Sequence, residues 1–141
     1  MAILDTTFLV DLQHGEDAAQ AALQVLADGP ERLVVPAQAA IEYLAGMKDP
    51  VAGLTDIERS FELVPLVREN ILEAARLGRQ GLQEGSFQGG ADTQIAARAQ
   101  LMGAEVVTAD PDDFRAYGCE TWDYRHEVRS PGSIPGPSSA T

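Results

Sequence analysis

Short apolar runs alternate along this chain with longer stretches in which apolar residues recur every three or four positions. Residues 2–4, 33–35, 61–66, 105–108 and 119–122 are runs of the first kind, with the length and content of strands covered on both faces. Between them the period is helical. A first segment runs from Phe8 to Leu12 and pauses at His14-Gly15. A second restarts at Glu16-Asp17, carries Ala19, Leu23, Leu26 and Ala27 at helical spacing, and stops at Asp28-Gly29-Pro30. Pro36 closes the second strand and suits the first turn of a helix over residues 37–45, ended by Gly46. Asp49-Pro50 and Gly53 break up residues 47–60, leaving a short helix expected from Thr55. Pro65 marks the end of the third strand or an edge position. The next helix is expected to carry Ile71, Ala75, Gly78 and Leu82 on one stripe, and the one after, over residues 91–102, carries Ile95, Ala96, Ala99 and Met102. Gly103 caps that helix, and a short helix follows Asp110-Pro111. Strands alternating with helices predict a parallel sheet with helices on both faces.

Residues 130–141, rich in Pro, Gly and Ser, lack the apolar content to fold and read as a flexible tail behind one domain over 1–129. At 141 residues and 45% hydrophobic content the chain can bury a substantial core. It has no apolar run long enough for a bilayer span and no signal sequence, so a cytoplasmic, membrane-free protein is expected. Cys119, the sole cysteine, excludes an internal disulfide and a multi-cysteine zinc site, and reads as core filling. The formal net charge of -12 rules out a broad electrostatic footprint for nucleic acid. Lys48 is the only lysine. Such a balance suits either a salt-rich cytoplasm or a GC-rich genome.

The chemistry lies in where the acids fall. The first strand runs into Asp5-Thr6, and the fourth into Thr108-Ala109-Asp110. Ligands in open α/β sheets sit beyond the carboxyl ends of the strands, and if these two strands are neighbours their acids meet at one edge. Asp92 lies on the same side of its helix as Ile95, Ala96 and Ala99, so it faces inward, which is costly for a carboxylate without a partner. Glu42 flanks an apolar stripe, and Asp112 and Asp113 follow close behind Asp110. Taken singly, Asp5 and Asp92 read equally as helix caps, Asp110 as the opening of a proline turn, and Glu42 as a surface residue. Taken together they favour a site. Carboxylates without cysteine or a well-placed histidine suit a hard cation, Mg²⁺ or Mn²⁺. His14 and His126 have no spacing partner for ligation, and no Gly-rich phosphate loop follows the first strand.

Four segments, Leu4-Asp5-Thr6, Ala40-Ile41-Glu42-Tyr43-Leu44-Ala45-Gly46, Ala91-Asp92-Thr93-Gln94-Ile95-Ala96-Ala97 and Val107-Thr108-Ala109-Asp110-Pro111-Asp112-Asp113-Phe114, resemble in order the signature segments of PIN-domain ribonucleases, most closely the VapC-type toxins of toxin–antitoxin pairs. The resemblance covers residues 1 to about 125. It implies a three-layer α/β/α sandwich around a parallel sheet of about five strands, and a Mg²⁺- or Mn²⁺-dependent endoribonuclease. It also implies an acidic quartet of Asp5, Glu42, Asp92 and Asp110, with Asp5, Asp92 and Asp110 on the metal. Asp113 would be an extra ligand, and Thr6 and Thr108 supporting hydroxyls. The family often has Asn or Ser where Thr7 stands, which leaves hydrogen bonding at that position open. A homodimer, an RNA substrate and a small antitoxin that reaches into the acidic groove are implied as well. Arg98 and Arg115 are expected to be exposed, solvated residues or local phosphate contacts. The competing expectation is a catalytically silent PIN-like domain whose acids dock the basic side chains of a protein partner.

Overall fold

The computed structural model describes residues 1–130, so the expected tail, apart from its first residue, lies outside the described residues. The order of elements is β1 (Ala2–Leu4), α1 (Thr6–Gln13), α2 (Asp17–Asp28), β2 (Leu33–Pro36), α3 (Ala37–Ala45), α4 (Pro50–Ser60), β3 (Glu62–Val64), α5 (Arg68–Glu84), α6 (Gly90–Met102), β4 (Glu105–Thr108), α7 (Pro111–Arg115) and β5 (Thr121–Asp123). The strands form one sheet in the order β3-β2-β1-β4-β5, and every pairing is parallel. Going from β1 through β2 to β3 the chain steps one way across the sheet; from β3 to β4 and β5 it returns. Right-handed crossovers therefore put α1–α4 on one face and α5–α7 on the other. Packing agrees, with α1 against α2 and α3, α3 against α4, and α6 against α5 and α7. The architecture is the expected α/β/α sandwich around a five-stranded parallel sheet.

The strands are short and apolar because helices cover both faces. Ile3, Leu4, Val34, Val35, Val106 and Val107 are fully buried, with Phe8, Ile95, Phe114 and Trp122 packed over them. Cys119 is buried, and that burial pushes its thiol up to about 11, an inert core residue. Among the described residues no helix is long and apolar enough to cross a membrane.

Four sequence expectations need correction. First, α4 begins at Pro50, not Thr55: Asp49 accepts a hydrogen bond from the Ala52 N–H at 3.1 Å and Pro50 occupies the first turn. The Asp-Pro pair that reads as a break is a helix start. Gly53 belongs inside that helix, because a Cβ there would stand 2.5 Å from Met47 Sδ and 2.7 Å from Leu44 Cδ2. Second, β5 is Thr121–Asp123 rather than residues 119–122, so Asp123 falls at its carboxyl end.

Third, the buried face of α5 is turned by one residue. Of the expected stripe Gly78 is buried, but Ile71, Ala75 and Leu82 are exposed, and Asn70, Leu77 and Gly81 join Gly78 on the inner face. One residue is about 100° of helix. Small residues win the inner face because the backbone after α5 passes so close: a Cβ at Gly81 would lie 3.1 Å from Phe87 Cα. Arg98 is likewise not solvated. It is buried on α6, donating to Asn70 Oδ1 at 3.2 Å and to the Pro65 carbonyl at 2.9 Å, and so ties α6 to α5 and to the end of β3.

Candidate metal-dependent active site

Register builds the centre of the site. Leu4 pairs with Val107, so the residues after them, Asp5 and Thr108, stand side by side at the carboxyl edge of the sheet. Thr108 Oγ1 donates to Asp5 Oδ2 at 2.8 Å, and Thr7 Oγ1 donates to the same oxygen at 3.0 Å. Each hydroxyl is itself held in place. Thr7 Oγ1 accepts the Ala109 N–H at 3.0 Å, and Thr108 Oγ1 accepts the Asp110 N–H at 2.9 Å. Asp5 is only 4% exposed. Burial raises its carboxyl above the ordinary value; the bonds from Thr108, Thr7 and the Thr6 backbone oppose that, and Glu42 adds to the rise. The open question at Thr7 is thereby answered: its hydroxyl joins Asp5 to the start of the β4–α7 turn.

Glu42 reaches the site from α3. Its Oε1 accepts from Thr6 Oγ1 at 3.1 Å, and it remains exposed. Asp92 approaches from the opposite layer, where α6 touches α3. It is half-buried, and its carboxyl is pushed up to about 7, first by burial and then by the charges of Asp5, Asp113 and Glu42. Asp113, on α7, is half-buried, and its charge is among those that raise Asp92. Asp110 is tied to this group through its backbone N–H on Thr108 Oγ1. It is exposed at the N-cap of α7, directly before Pro111. Asp92 thus feels the charges of Asp5, Asp113 and Glu42, and Asp5 feels that of Glu42, with Asp110 on the rim.

The helix-cap explanation of these acids fails on the bonds. Asp5 and Asp110 occupy N-cap positions, but neither makes a side-chain capping bond. Asp92 is not a cap at all, since Gly89 holds that position and Asp92 follows in the first turn. Three or four carboxylates held together raise one another's proton affinity, so the cluster takes up either a proton or a cation. Hard oxygen donors fit Mg²⁺ or Mn²⁺. Among the described residues no three acidic, histidine or cysteine side chains come close enough together to hold a metal ion between them; Mg²⁺ is usually held by one or two carboxylates and its own water.

The other candidates are engaged elsewhere. Arg115 donates to Thr121 Oγ1 at 2.9 Å and pairs with Glu127 at 3.3 Å. His14 is an exposed C-cap of α1. One supporting network had no sequence signal, because its members lie more than a hundred residues apart. Asp11 on α1 is buried, accepts from the Tyr124 hydroxyl, and accepts from Arg125 Nε and Nη2, each at 2.9 Å. Burial would raise the Asp11 carboxyl, but the bonds from Tyr124 and Arg125 outweigh it and hold it below the usual range. The Tyr124 hydroxyl also lies 3.2 Å from the Thr7 carbonyl. The turn after β5 is in this way latched to the segment that fixes Asp5.

A family model described as PIN domain matches residues 2–118. No curated protein sequence matches. Among solved structures the fold is shared with FitAcB from Neisseria gonorrhoeae, at 20% identity over 90% of this chain and 100% of that one, with a TM-score of 0.73. It is shared with VapBC2 from Rickettsia felis, solved bound to a fragment of promoter DNA, at 17% identity over 86% of this chain and 96% of that one, TM-score 0.72. It is also shared with VapC20 from Mycobacterium tuberculosis, a toxin that cleaves the sarcin–ricin loop, at 15% identity over 84% and 96%, TM-score 0.63.

Proposed function

This chain belongs to the PIN-domain family, and on that premise we propose that it is a Mg²⁺- or Mn²⁺-dependent endoribonuclease, the toxin of a toxin–antitoxin pair. The observation that carries the reading is the uncompensated carboxylate cluster: a buried Asp5 beside an Asp92 whose carboxyl is pushed up to about 7 by its acidic neighbours. A group of like charges is stable at neutral pH when a cation joins it. The similarity in fold to toxins that include a sarcin–ricin loop nuclease supports RNA as the substrate. Similarity in fold to a toxin–antitoxin complex from Klebsiella pneumoniae, at 22% identity and a TM-score of 0.65, supports a small antitoxin as partner. Homodimerisation and action in the cytoplasm belong to the same reading.

Asp5 and Asp92 would hold the cation, directly or through water, with Glu42, Asp110 and Asp113 completing its surroundings. The metal would acidify a bound water and offset charge developing on the phosphoryl group. Thr7 and Thr108 both donate to Asp5 Oδ2 and so fix the orientation of its carboxylate. Thr6 orients Glu42, which stands at the opening where it can accept a proton from an attacking water. Asp110, with its backbone held by Thr108, lines the same opening.

The test is cleavage of structured and single-stranded RNA by purified protein with chelator, Mg²⁺ and Mn²⁺, alongside Asp92→Asn. Metal-dependent cleavage that the variant loses is expected. A parent that binds the antitoxin or another basic partner but cuts no RNA with either metal would instead assign the acids to docking.

A further inference from the structure

The carboxyl edge of the sheet carries a third functional position that the nuclease reading does not use. Thr108 pairs with Asp123 across β4 and β5, so Asp5, Thr108 and Asp123 stand level on three adjacent strands. Neighbouring strands are about 4.8 Å apart, which puts the Asp123 backbone on the order of 10 Å from that of Asp5. Alternation along β5 sends Asp123 to the same face as Thr121, whose hydroxyl meets Arg115 of α7. Asp113 lies on α7 and Asp92 on α6, in that same layer. Asp123 therefore flanks the carboxylate cluster on its α7 side.

Asp123 holds a histidine. Its Oδ2 is 2.9 Å from His126 Nδ1, while its Oδ1 is buried without a hydrogen-bond partner among the described residues. The Asp123 side chain is 16% exposed and that of His126 is 76% exposed. A carboxylate accepts only, so Nδ1 carries the hydrogen and the ring turns Nε2 outward. The backbone turn is fixed as well, since the N–H groups of His126 and Glu127 both donate to the Asp123 carbonyl.

The nearby arginines each direct two guanidinium nitrogens at acids, whereas Asp123 engages only Nδ1 of His126. Arg115 pairs with Glu127 and Asp112, Arg125 with Asp11 and Glu16, and Arg129 with Glu105 while lying over the Trp122 ring. For a protein of net charge -12, a polyanion needs local cationic contacts beyond the metal. We propose that the Asp123–His126 pair is an RNA-backbone contact, with His126 Nε2–H directed at a phosphodiester oxygen adjacent to the one that is cut. The inference rests on the nuclease reading and adds to it a track for the strand, leaving the carboxylates across β4 toward β5.

The donor at Nε2 requires the doubly protonated ring. The charged groups around it are Asp123 on β5, Arg125 and Glu127 beside it in the chain, and the Arg115 and Asp112 of α7 that meet at Glu127's flank. The assay is therefore run near pH 6, where imidazoles carry charge. It measures kcat and KM for a short single-stranded RNA with Mg²⁺ over a series of salt concentrations, for the full chain, His126→Ala and His126→Lys. The expected result for His126→Ala is a KM raised about threefold to fivefold, the scale of one exposed charge contact, with kcat unchanged. Its dependence of log(kcat/KM) on log[salt] should be shallower by about 0.7. His126→Lys, which restores a cation, should keep the parent's slope. An unchanged KM and slope in His126→Ala, or a loss confined to kcat, overturns the contact while leaving the nuclease reading in place. A parent that cleaves no RNA overturns both.

Discussion

Replacing Asp92 by Asn tests the cluster most directly, because it keeps the shape of the side chain and removes one charge. The carboxyl of Asp92 is shifted from 3.8 to about 7, and at about 1.4 kcal/mol per pKa unit that is ~4 kcal/mol. Asp92 is only half-buried, and solvent screening brings the expected effect down to ~1–2 kcal/mol. The sign follows from linkage. The folded chain holds this proton more tightly than the unfolded chain, so the parent loses stability as pH rises from about 4 to about 7 and then levels off. Asn cannot titrate. In chelator at pH 8, Asp92→Asn should therefore melt higher than the parent by about 3 to 10 °C, and near pH 4 the two should coincide. Added Mg²⁺ should reverse the order. Binding to the folded state stabilises by ~2.7 kcal/mol at a hundredfold excess over Kd, and the variant should gain much less. Melting curves at the two pH values, with chelator and with metal, decide the matter. A difference between the proteins that does not change with pH would mean that Asp92 feels no charged neighbours. Equal gains from Mg²⁺ would remove it from the metal site.

Further outcomes separate the remaining parts. Asp113→Asn should, like Asp92→Asn, raise metal-free stability at pH 8, whereas Asp110→Asn, at the exposed rim, should leave it within ~0.5 kcal/mol of the parent; thermal melting of both variants checks this. Tyr124→Phe removes a donor from buried Asp11 and the link to the Thr7 carbonyl, and should cost about 1–2 kcal/mol in urea unfolding. Deleting residues 131–141 should change neither melting temperature nor metal-dependent cleavage, because that stretch has little apolar content to bury; a fall of several degrees would place that segment on the body. With a net charge of -12, raising monovalent salt toward the molar range should raise the melting temperature by screening self-repulsion, and a flat response would remove the salt-adaptation argument.

The features that the sequence by itself determined are local ones. Apolar runs of strand length, separated by helical periods and punctuated by Gly46 and Gly103, are enough for a parallel α/β sheet, because burial on both faces leaves a strand no polar alternation. The placing of Asp5 and Thr108 was equally legible, since each directly follows an apolar strand and ligands gather at that end. Tertiary structure decided what depends on distance along the chain and on rotation. Only the adjacency of β1 and β4 brings Thr108 to Asp5, 103 residues away, and only the path of α7 sets Asp113 beside Asp92 while leaving Asp110 at the rim. On α5 the apolar spacing pointed to Ile71, Ala75, Gly78 and Leu82, yet of these only Gly78 is buried, and the close passage of Phe87 at Gly81 selected a face turned away from the other three. Arg98 and His126 show the same limit. A guanidinium reads as solvated and a lone histidine as unpartnered until Asn70 and Pro65, or Asp123, are folded against them. Hydrophobic period is a property of neighbours in sequence; hydrogen-bond partners and charge clusters belong to neighbours in space.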